Sequence, residues 1–81
     1  MKLYDYHGVF NRSGKRIRLA RKRLNWSQEL LAARIQLNGL NIDQNAVSRA
    51  ENGKRCIPDF ELPFYADALG VSILWLLDLE D

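Results

Sequence analysis

Residues that start and end α-helices occur at regular points along this chain. Ser27, Asp43 and Ser72 each stand directly before a stretch in which apolar residues have helical spacing. A short polar side chain in that place accepts a hydrogen bond from a backbone N–H of the first turn. Gly53 and Gly70 follow such stretches, and glycine is the residue that most often ends a helix. Because no stretch has the two-residue alternation of a strand, the sequence predicts an all-α domain.

Five short helices are predicted from these signals and from Pro63, which cannot lie deep inside a helix. They are Lys15 to Leu24, a helix after Ser27 that ends near Leu37, a helix between Asp43 and Gly53, a helix that starts near Asp59 to Glu61 and ends at Gly70, and a short helix after Ser72. Spacings of three and four residues predict which side chains face inward. These are Ile17, Ala20, Arg21 and Leu24 in the first helix, Leu31, Ala32 and Ile35 in the second, and Val47, Ala50 and Glu51 in the third.

The chain has 81 residues, which is enough for one domain. A domain of this size buries only about 60% of its unfolded surface, so its core must be compact. Cys56 is the only cysteine, which excludes an internal disulfide and indicates a reducing compartment. No apolar run approaches the roughly 18 residues of a membrane span, and the segment Met1–Phe10 lacks the apolar core of an export signal. We therefore expect a cytoplasmic protein that does not bind membranes.

Charge is divided unevenly along the chain. Residues 1–55 contain all 12 lysines and arginines but only four acidic residues, which gives a formal net charge of +8. Residues 56–81 contain six acidic residues and no lysine or arginine, which gives −6. Chance segregation on a soluble surface is one explanation. So complete a division favours the other, a protein whose basic end meets a polyanion.

Three separate segments carry a family resemblance. They are Ser27–Ala32, Ala46–Arg55 and Ala68–Ser72, the last followed by Trp75–Leu77. In sequence and in order they resemble the phage repressor and Cro (XRE) family of helix-turn-helix domains. The resemblance covers about residues 14–78. It implies an all-α, five-helix, lambda-repressor-like domain over residues 14–81, preceded by an N-terminal arm over residues 1–13.

Two features depart from the family pattern. The link Asn38–Ile42 is longer than the three or four residues usual between the second and third helices. An extra turn on the second helix would absorb part of it, and the relative placement of the two helices stays open. Ala50 stands where a bulky aliphatic residue is usual, so its neighbours must fill that space.

The resemblance implies that the third helix enters the major groove of duplex DNA with its first turn against the base edges. The residues that it assigns to base contact are Gln44, Asn45, Ala46, Ser48 and Arg49. Amide side chains can pair with adenine, a methyl group suits thymine, and a guanidinium reaches guanine or a phosphate. The alternative is that the polar residues among them are simply solvated at the start of a helix.

The same resemblance implies a set of phosphate contacts, from Ser27, Gln28, Asn52, Lys54 and Arg55. Gln28 also matches a family position that braces the first residue of the DNA-reading helix, here Gln44. The backbone N–H groups that follow Ser27 suit a phosphate oxygen in any case. Each phosphate contact releases counterions, so we expect affinity to depend on salt. The alternative for the two cations is that lysine and arginine are common on any protein surface.

Other conspicuous side chains are assigned to packing. Arg21 and Glu51 match a family pair that bridges the first and third helices, and we expect a partly buried salt bridge between them. Trp75, Leu76 and Leu79 give the C-terminal end more apolar surface than one helix face needs. That surface either closes the core or forms a two-fold dimer, and we favour a homodimer. The remaining assignments are Trp26 to packing, and Tyr4, Tyr6 and His7 to the surface of the arm.

Three classes of function follow from these observations. The favoured one is a sequence-specific DNA-binding transcriptional regulator, a repressor. The alternative is an antitoxin or another protein-interaction module on the same fold, which would cover its apolar C-terminal surface with a toxin. An enzyme is disfavoured, because one histidine in the arm and Cys56 beside a turn do not supply a nucleophile and its base. These residues also form no metal-binding pattern, and no cofactor is expected.

Overall fold

The computed structural model describes residues 5–81, in which five α-helices form the regular structure apart from an isolated bridge between Tyr6 and Val9. The helices are α1 (Gly14–Arg23), α2 (Gln28–Leu37), α3 (Gln44–Glu51), α4 (Leu62–Leu69) and α5 (Ile73–Leu76). The predicted all-α, five-helix fold is confirmed. Within these residues, no helix combines the length and the apolar character needed to cross a bilayer.

The predicted starts of three helices are confirmed by side-chain hydrogen bonds. At Ser27, Asp43 and Ser72 the side-chain oxygen accepts from the backbone N–H three residues later, at 2.9 to 3.0 Å. Pro63 lies in the first turn of α4, as predicted. Gly53 follows α3 in the left-handed conformation, with φ of 74°, which glycine adopts without strain. Local signals therefore set most of the helix ends.

The long link between α2 and α3 is accommodated without an extra turn on α2, which ends at Leu37, its predicted end. The chain folds back instead. Ile42 enters the core with only 5% of its surface exposed, and Leu40 packs against the same core. The side-chain amide of Gln36 donates a hydrogen bond to the carbonyl of Ile42. Because the link is tied to the last turn of α2, α3 begins at a defined position beside α2.

The start of α1 depends on Asn11, which the sequence analysis did not identify. Its Oδ1 accepts from the backbone N–H groups of Ser13 and Gly14, at 3.0 and 2.7 Å. Its Nδ2 donates to the carbonyls of Ala50 and Arg55, at 3.0 and 2.8 Å. A Cβ on Gly14 would lie 2.3 Å from the carbonyl oxygen of Ala50, so this close approach requires glycine. The backbone of α1 thus lies against the end of α3, close beside the small Ala50.

Residues 5–13 form a turn that lies against the same end of α3. The N–H of Phe10 donates to the carbonyl of Gly53 at 2.7 Å. Tyr6 and His7 are exposed, as the sequence predicted. Residues 1–4, which include Tyr4, lie outside the described residues. The division into an arm (1–13) and a domain (14–81) stays a prediction.

The core receives side chains from all five helices. The inward faces predicted for α2 and α3 are confirmed, as are three of the four residues predicted for α1. The fourth, Leu24, is 42% exposed, because α1 ends at Arg23 and the chain turns away there. The largest completely buried side chains are Tyr65, Ile17, Leu31, Ile35, Leu76 and Val47.

Leu76 belongs to this core, so the prediction that it forms part of a dimer surface is wrong. Its side chain is completely buried because α5 packs against both α1 and α4. α5 has only four residues, which is too short for apolar spacing to indicate the buried face. The side chains of α5 that stay outward are Ile73 and Leu74, which are 37% and 51% exposed.

Candidate nucleic-acid interface

α3 has one buried face and one polar face. Val47, Ala50 and Glu51 are buried, whereas Gln44 and Asn45 are exposed in the first turn. The amphipathic arrangement follows from the sequence, because the apolar residues recur at helical spacing and the polar residues fall between them. The other residues predicted to contact bases are the exposed Arg49 and the half-buried Ala46 and Ser48.

The first residues of α2 and α3 meet through their amide side chains. Nε2 of Gln44 donates to Oε1 of Gln28 at 2.7 Å. Nε2 of Gln28 in turn donates to Oε1 of Glu51 at 3.1 Å. The brace between Gln28 and Gln44 that the family resemblance implied is therefore present in the structure, despite the long link between the helices.

Arg21 and Glu51 form a buried ion pair between α1 and α3. Nε of Arg21 lies 2.6 Å from Oε2 of Glu51, and Nη2 of Arg21 lies 2.9 Å from Oε1 of Glu51. The two side chains are 8% and 1% exposed. The hydrogen bonds to Glu51 raise the pKa of Arg21 although burial acts in the opposite direction, so the guanidinium stays charged. A third bond, from Arg21 to the carbonyl of Trp26 at 2.7 Å, ties the pair to the turn before α2.

The residues predicted to contact phosphates are in different situations. Ser27, Asn52 and Lys54 are exposed, and Gln28 is half-buried. The side-chain oxygen of Ser27 caps α2 by accepting from the N–H of Leu30, and the N–H groups of Gln28 and Glu29 are the ones left directed outward from the helix start. Asn52 and Lys54 follow α3 directly, at the end of the helix opposite to Gln44.

Arg55 has an internal partner that the sequence analysis missed. Two of its guanidinium nitrogens lie 2.6 and 3.1 Å from the carboxylate oxygens of Glu61, whose side chain is only 9% exposed. The hydrogen bond with Glu61 raises the pKa of Arg55. The one sequence signal that could have indicated this pair is the short distance between the two residues, in a loop rich in polar residues. Arg55 therefore fastens the loop that follows α3 to the start of α4.

Tyr65 lies in the core close to this loop, completely buried. Its hydroxyl is the one buried side-chain polar atom, among the described residues, that lacks a hydrogen-bond partner. Burial raises the pKa of Tyr65 to about 12, although the charge of Arg55 acts to lower it. The hydroxyl is therefore neutral and contributes an uncompensated polar group to the core.

A second cluster of side chains joins α1 to α5. The guanidinium carbons of Arg16 and Arg23 lie 4.6 and 5.5 Å from the ring centroid of Trp75 in α5. Arg16 also pairs with Asp78 at 2.6 Å, where the carboxylate side chain is 62% exposed. Of the predicted dimer surface, Trp75 is half-buried under these cations, and Leu79 is 59% exposed.

Comparisons with known proteins agree with this architecture. A family model described as helix-turn-helix matches residues 17–76. Among solved structures, the chain is similar to the P22 c2 repressor protein, crystallised in complex with the synthetic operator 9T in the presence of Tl+. The two share 26% sequence identity and superpose with a TM-score of 0.72, over 84% of this chain and 96% of the repressor chain. No curated protein matches the sequence. The chain belongs to the helix-turn-helix family and has the fold of its phage repressor and Cro (XRE) type.

Proposed function

We propose that this protein binds duplex DNA in a sequence-specific manner and acts as a transcriptional regulator, a repressor. The proposal rests on α3, whose apolar face is buried while Gln44 and Asn45 are exposed at its N-terminal end. A helix held in this way fits the major groove, where its first turn meets the base edges. The similarity to a repressor that was crystallised with an operator supports the same function.

Base reading in this proposal is divided among five residues of α3. Gln44 and Asn45 pair with adenine through their amide groups, and Ala46 touches a thymine methyl group. Ser48 is the weaker hydrogen-bonding partner, because it is half-buried. Arg49 is exposed near the end of the helix and reaches a guanine or a phosphate.

Phosphate contacts hold the protein in register on the duplex. Ser27 and Gln28 contribute through the N-terminus of α2, and Asn52 and Lys54 contribute behind α3. Arg55 contributes less to affinity than the sequence alone predicted, because Glu61 already neutralises its charge. These contacts require no cofactor. In this proposal the protein binds its DNA in the cytoplasm.

The binding unit in this proposal is a homodimer, because two copies of such a domain related by a two-fold axis bind paired half-sites. The contact surface includes Trp75 and Leu79, with the exposed Leu74 in place of the buried Leu76. Sedimentation of the protein with and without DNA tests this assembly. If the protein is a monomer and binds a toxin through these residues, the result favours the antitoxin alternative over the homodimer.

Selection of binding sites from random duplexes, at two salt concentrations, tests the proposal. We expect one enriched sequence, and we expect Gln44→Ala to lose about 1–3 kcal/mol of binding free energy on it. The matched control is Asn38→Ala, which removes an exposed amide at the C-terminal end of α2, the end opposite to Gln28. Equal losses on random DNA and on the selected site would contradict base reading by Gln44.

The salt dependence tests the phosphate contacts. Lys54→Ala should weaken binding to all sequences and flatten the dependence of log affinity on log salt by about one unit. Lys22→Ala removes an exposed lysine from α1 and serves as its control. An unchanged slope for Lys54→Ala would remove Lys54 from the interface.

A further inference from the structure

Asn11, in the turn before α1, uses its whole side-chain amide to bind backbone groups of two distant segments. The oxygen accepts from two N–H groups at the start of α1, and the NH2 group donates to the carbonyls of Ala50 and Arg55. An amide group has two donors and two lone pairs, so all of them are in use. Ala50 lies in the last turn of α3, and Arg55 lies in the loop beyond its end. One side chain therefore closes the segment 50–55 and ties it to α1.

The segment closed in this way carries Asn52 and Lys54, the residues assigned to phosphate contacts behind α3. Both side chains are exposed. Their positions depend on the backbone beneath them, because neither forms an ion pair within residues 5–81. A loop that must be ordered on binding loses part of the energy of its contacts. A phosphate contact from Lys54 is therefore strongest when this backbone is already held in place.

Backbone hydrogen bonds hold the near side of the segment. The N–H groups of Gly53 and Lys54 donate to carbonyls in α3 at 3.1 and 2.9 Å, which is the common way for a helix to end at a left-handed glycine. The far side is held differently. There the carbonyl of Arg55 accepts from Asn11 at 2.8 Å, and its guanidinium pairs with Glu61. Asn11 thus links the far side of the segment to α1.

We propose that Asn11 is a positioning residue for DNA binding, which holds Lys54 and Asn52 where they meet the phosphate backbone. The inference rests on the proposed function, because it requires that Lys54 contacts a phosphate. Asn11 precedes residues 17–76, which the helix-turn-helix model matches, so the device lies outside the family pattern. The turn before α1 then contributes to DNA binding through the segment 50–55, without a contact of Asn11 with DNA.

Two substitutions remove the bridge and keep the start of α1. The hydroxyl of Asn11→Ser still accepts from the N–H groups of α1, but it lacks the NH2 group and stands one bond closer to the backbone. The variant is neutral, so the attraction to DNA is unchanged. The carboxylate of Asn11→Asp accepts from the same N–H groups, favours a helix start and has no donor. Its added charge is matched by Arg12→Gln, which alters the net charge equally at an exposed neighbour.

The experiment measures affinities for the selected duplex in double-mutant cycles, at a temperature where thermal melting shows every variant to be folded. We expect Lys54→Ala to weaken binding about fivefold in the wild-type protein. In either Asn11 variant it should weaken binding less than about twofold and leave the salt slope unchanged, because Lys54 has already lost its position. Gln44→Ala, at the other end of α3, should cost the same with and without the bridge. In Arg12→Gln, Lys54→Ala should keep its full effect.

The outcomes separate this inference from the function on which it rests. If Lys54→Ala costs as much in the Asn11 variants as in the wild-type protein, the positioning role is overturned and the phosphate contact stands. If Lys54→Ala has no effect in the wild-type protein, the contact fails and the inference fails with it. If the cost of Gln44→Ala shrinks in parallel, the defect is general and the inference is also overturned. A reduced cost at Lys54 with a full cost at Gln44 supports it, because a general loss of structure would reduce both.

Discussion

Two arginines of α1 each pair with a carboxylate that is distant in sequence, but they do so in different surroundings. Arg21 and Glu51 are 8% and 1% exposed and share two hydrogen bonds, whereas Arg16 and Asp78 are 24% and 62% exposed and share one. The buried pair fixes α1 against α3 and continues into Gln28. The exposed pair lies at the α5 end, over Trp75. Similar ion pairs in one domain therefore differ in how much of the structure depends on them.

The buried pair should be the most sensitive position. Glu51→Ala leaves the charge of Arg21 buried without its partner, and we expect a loss of about 3–5 kcal/mol in the free energy of unfolding. Urea denaturation measures it, with the loss at Asp78 as the reference. Equal losses at the two sites would remove the distinction between the pairs.

The pair between Arg55 and Glu61 is intermediate, since Glu61 is buried but Arg55 is 26% exposed. Glu61→Ala removes charged hydrogen bonds and should cost about 1.5–3 kcal/mol of stability. Asp59→Ala, which removes an exposed carboxylate from the same loop, is the matched control. A loss no larger than that of the control would show that the loop is held by Asn11 and apolar packing alone.

The exposed pair should contribute little. Asp78→Ala is expected to lower the free energy of unfolding by about 0–1 kcal/mol, because solvent and side-chain entropy offset most of the attraction. The effect should vanish in about 1 M salt, which screens exposed charges. A larger loss that persists in salt would mean that Asp78 is needed to place Arg16 over Trp75.

Tyr65→Phe should have the smallest effect at neutral pH, within about 1 kcal/mol and in the stabilising direction, since it removes a buried hydroxyl without a partner. The folded pKa of about 12 exceeds the ordinary value of 10.0, so the folded state binds this proton more tightly than the unfolded state does. Ionisation of Tyr65 therefore costs the folded state more than the unfolded state, and the free energy of unfolding is unaffected by it below pH 10 and falls as the pH rises towards 12.

Urea denaturation of the wild-type protein and of Tyr65→Phe at neutral pH and at about pH 11 measures the difference. The wild-type protein should lose more stability than the variant over this range, because the variant has no hydroxyl to ionise at that position. Parallel losses would contradict the raised pKa of Tyr65.

Much of the fold was predictable because the deciding interactions are local. The caps at Ser27, Asp43 and Ser72 each involve a backbone N–H only three residues away. The buried faces of α2 and α3 also followed from spacing alone. Leu24 was mispredicted because its burial depends on where the chain turns after α1, which periodicity does not determine.

The features that sequence analysis missed depend on contacts between distant segments. Asn11 joins residues 39 and 44 positions away, and no local pattern indicates such a contact. Glu61 is buried because the loop before α4 folds back over the core, and the burial of Leu76 depends on the way α5 packs. For the candidate site, the polar face of α3 was predictable from the sequence. The connection of Gln28 to Glu51 was not, since it requires the two helices to be placed together.

Nuclear magnetic resonance tests the central claim most directly, through titration of the isotope-labelled protein with its selected duplex. We predict that the side-chain amide signals of Gln44 and Asn45 shift most, together with the backbone signals at the start of α2. The indole signal of Trp75 should change only through dimer formation, and equally when the dimer forms without DNA. Large DNA-dependent shifts at α5 with unchanged amide signals in α3 would contradict the assignment of α3 as the element that reads DNA.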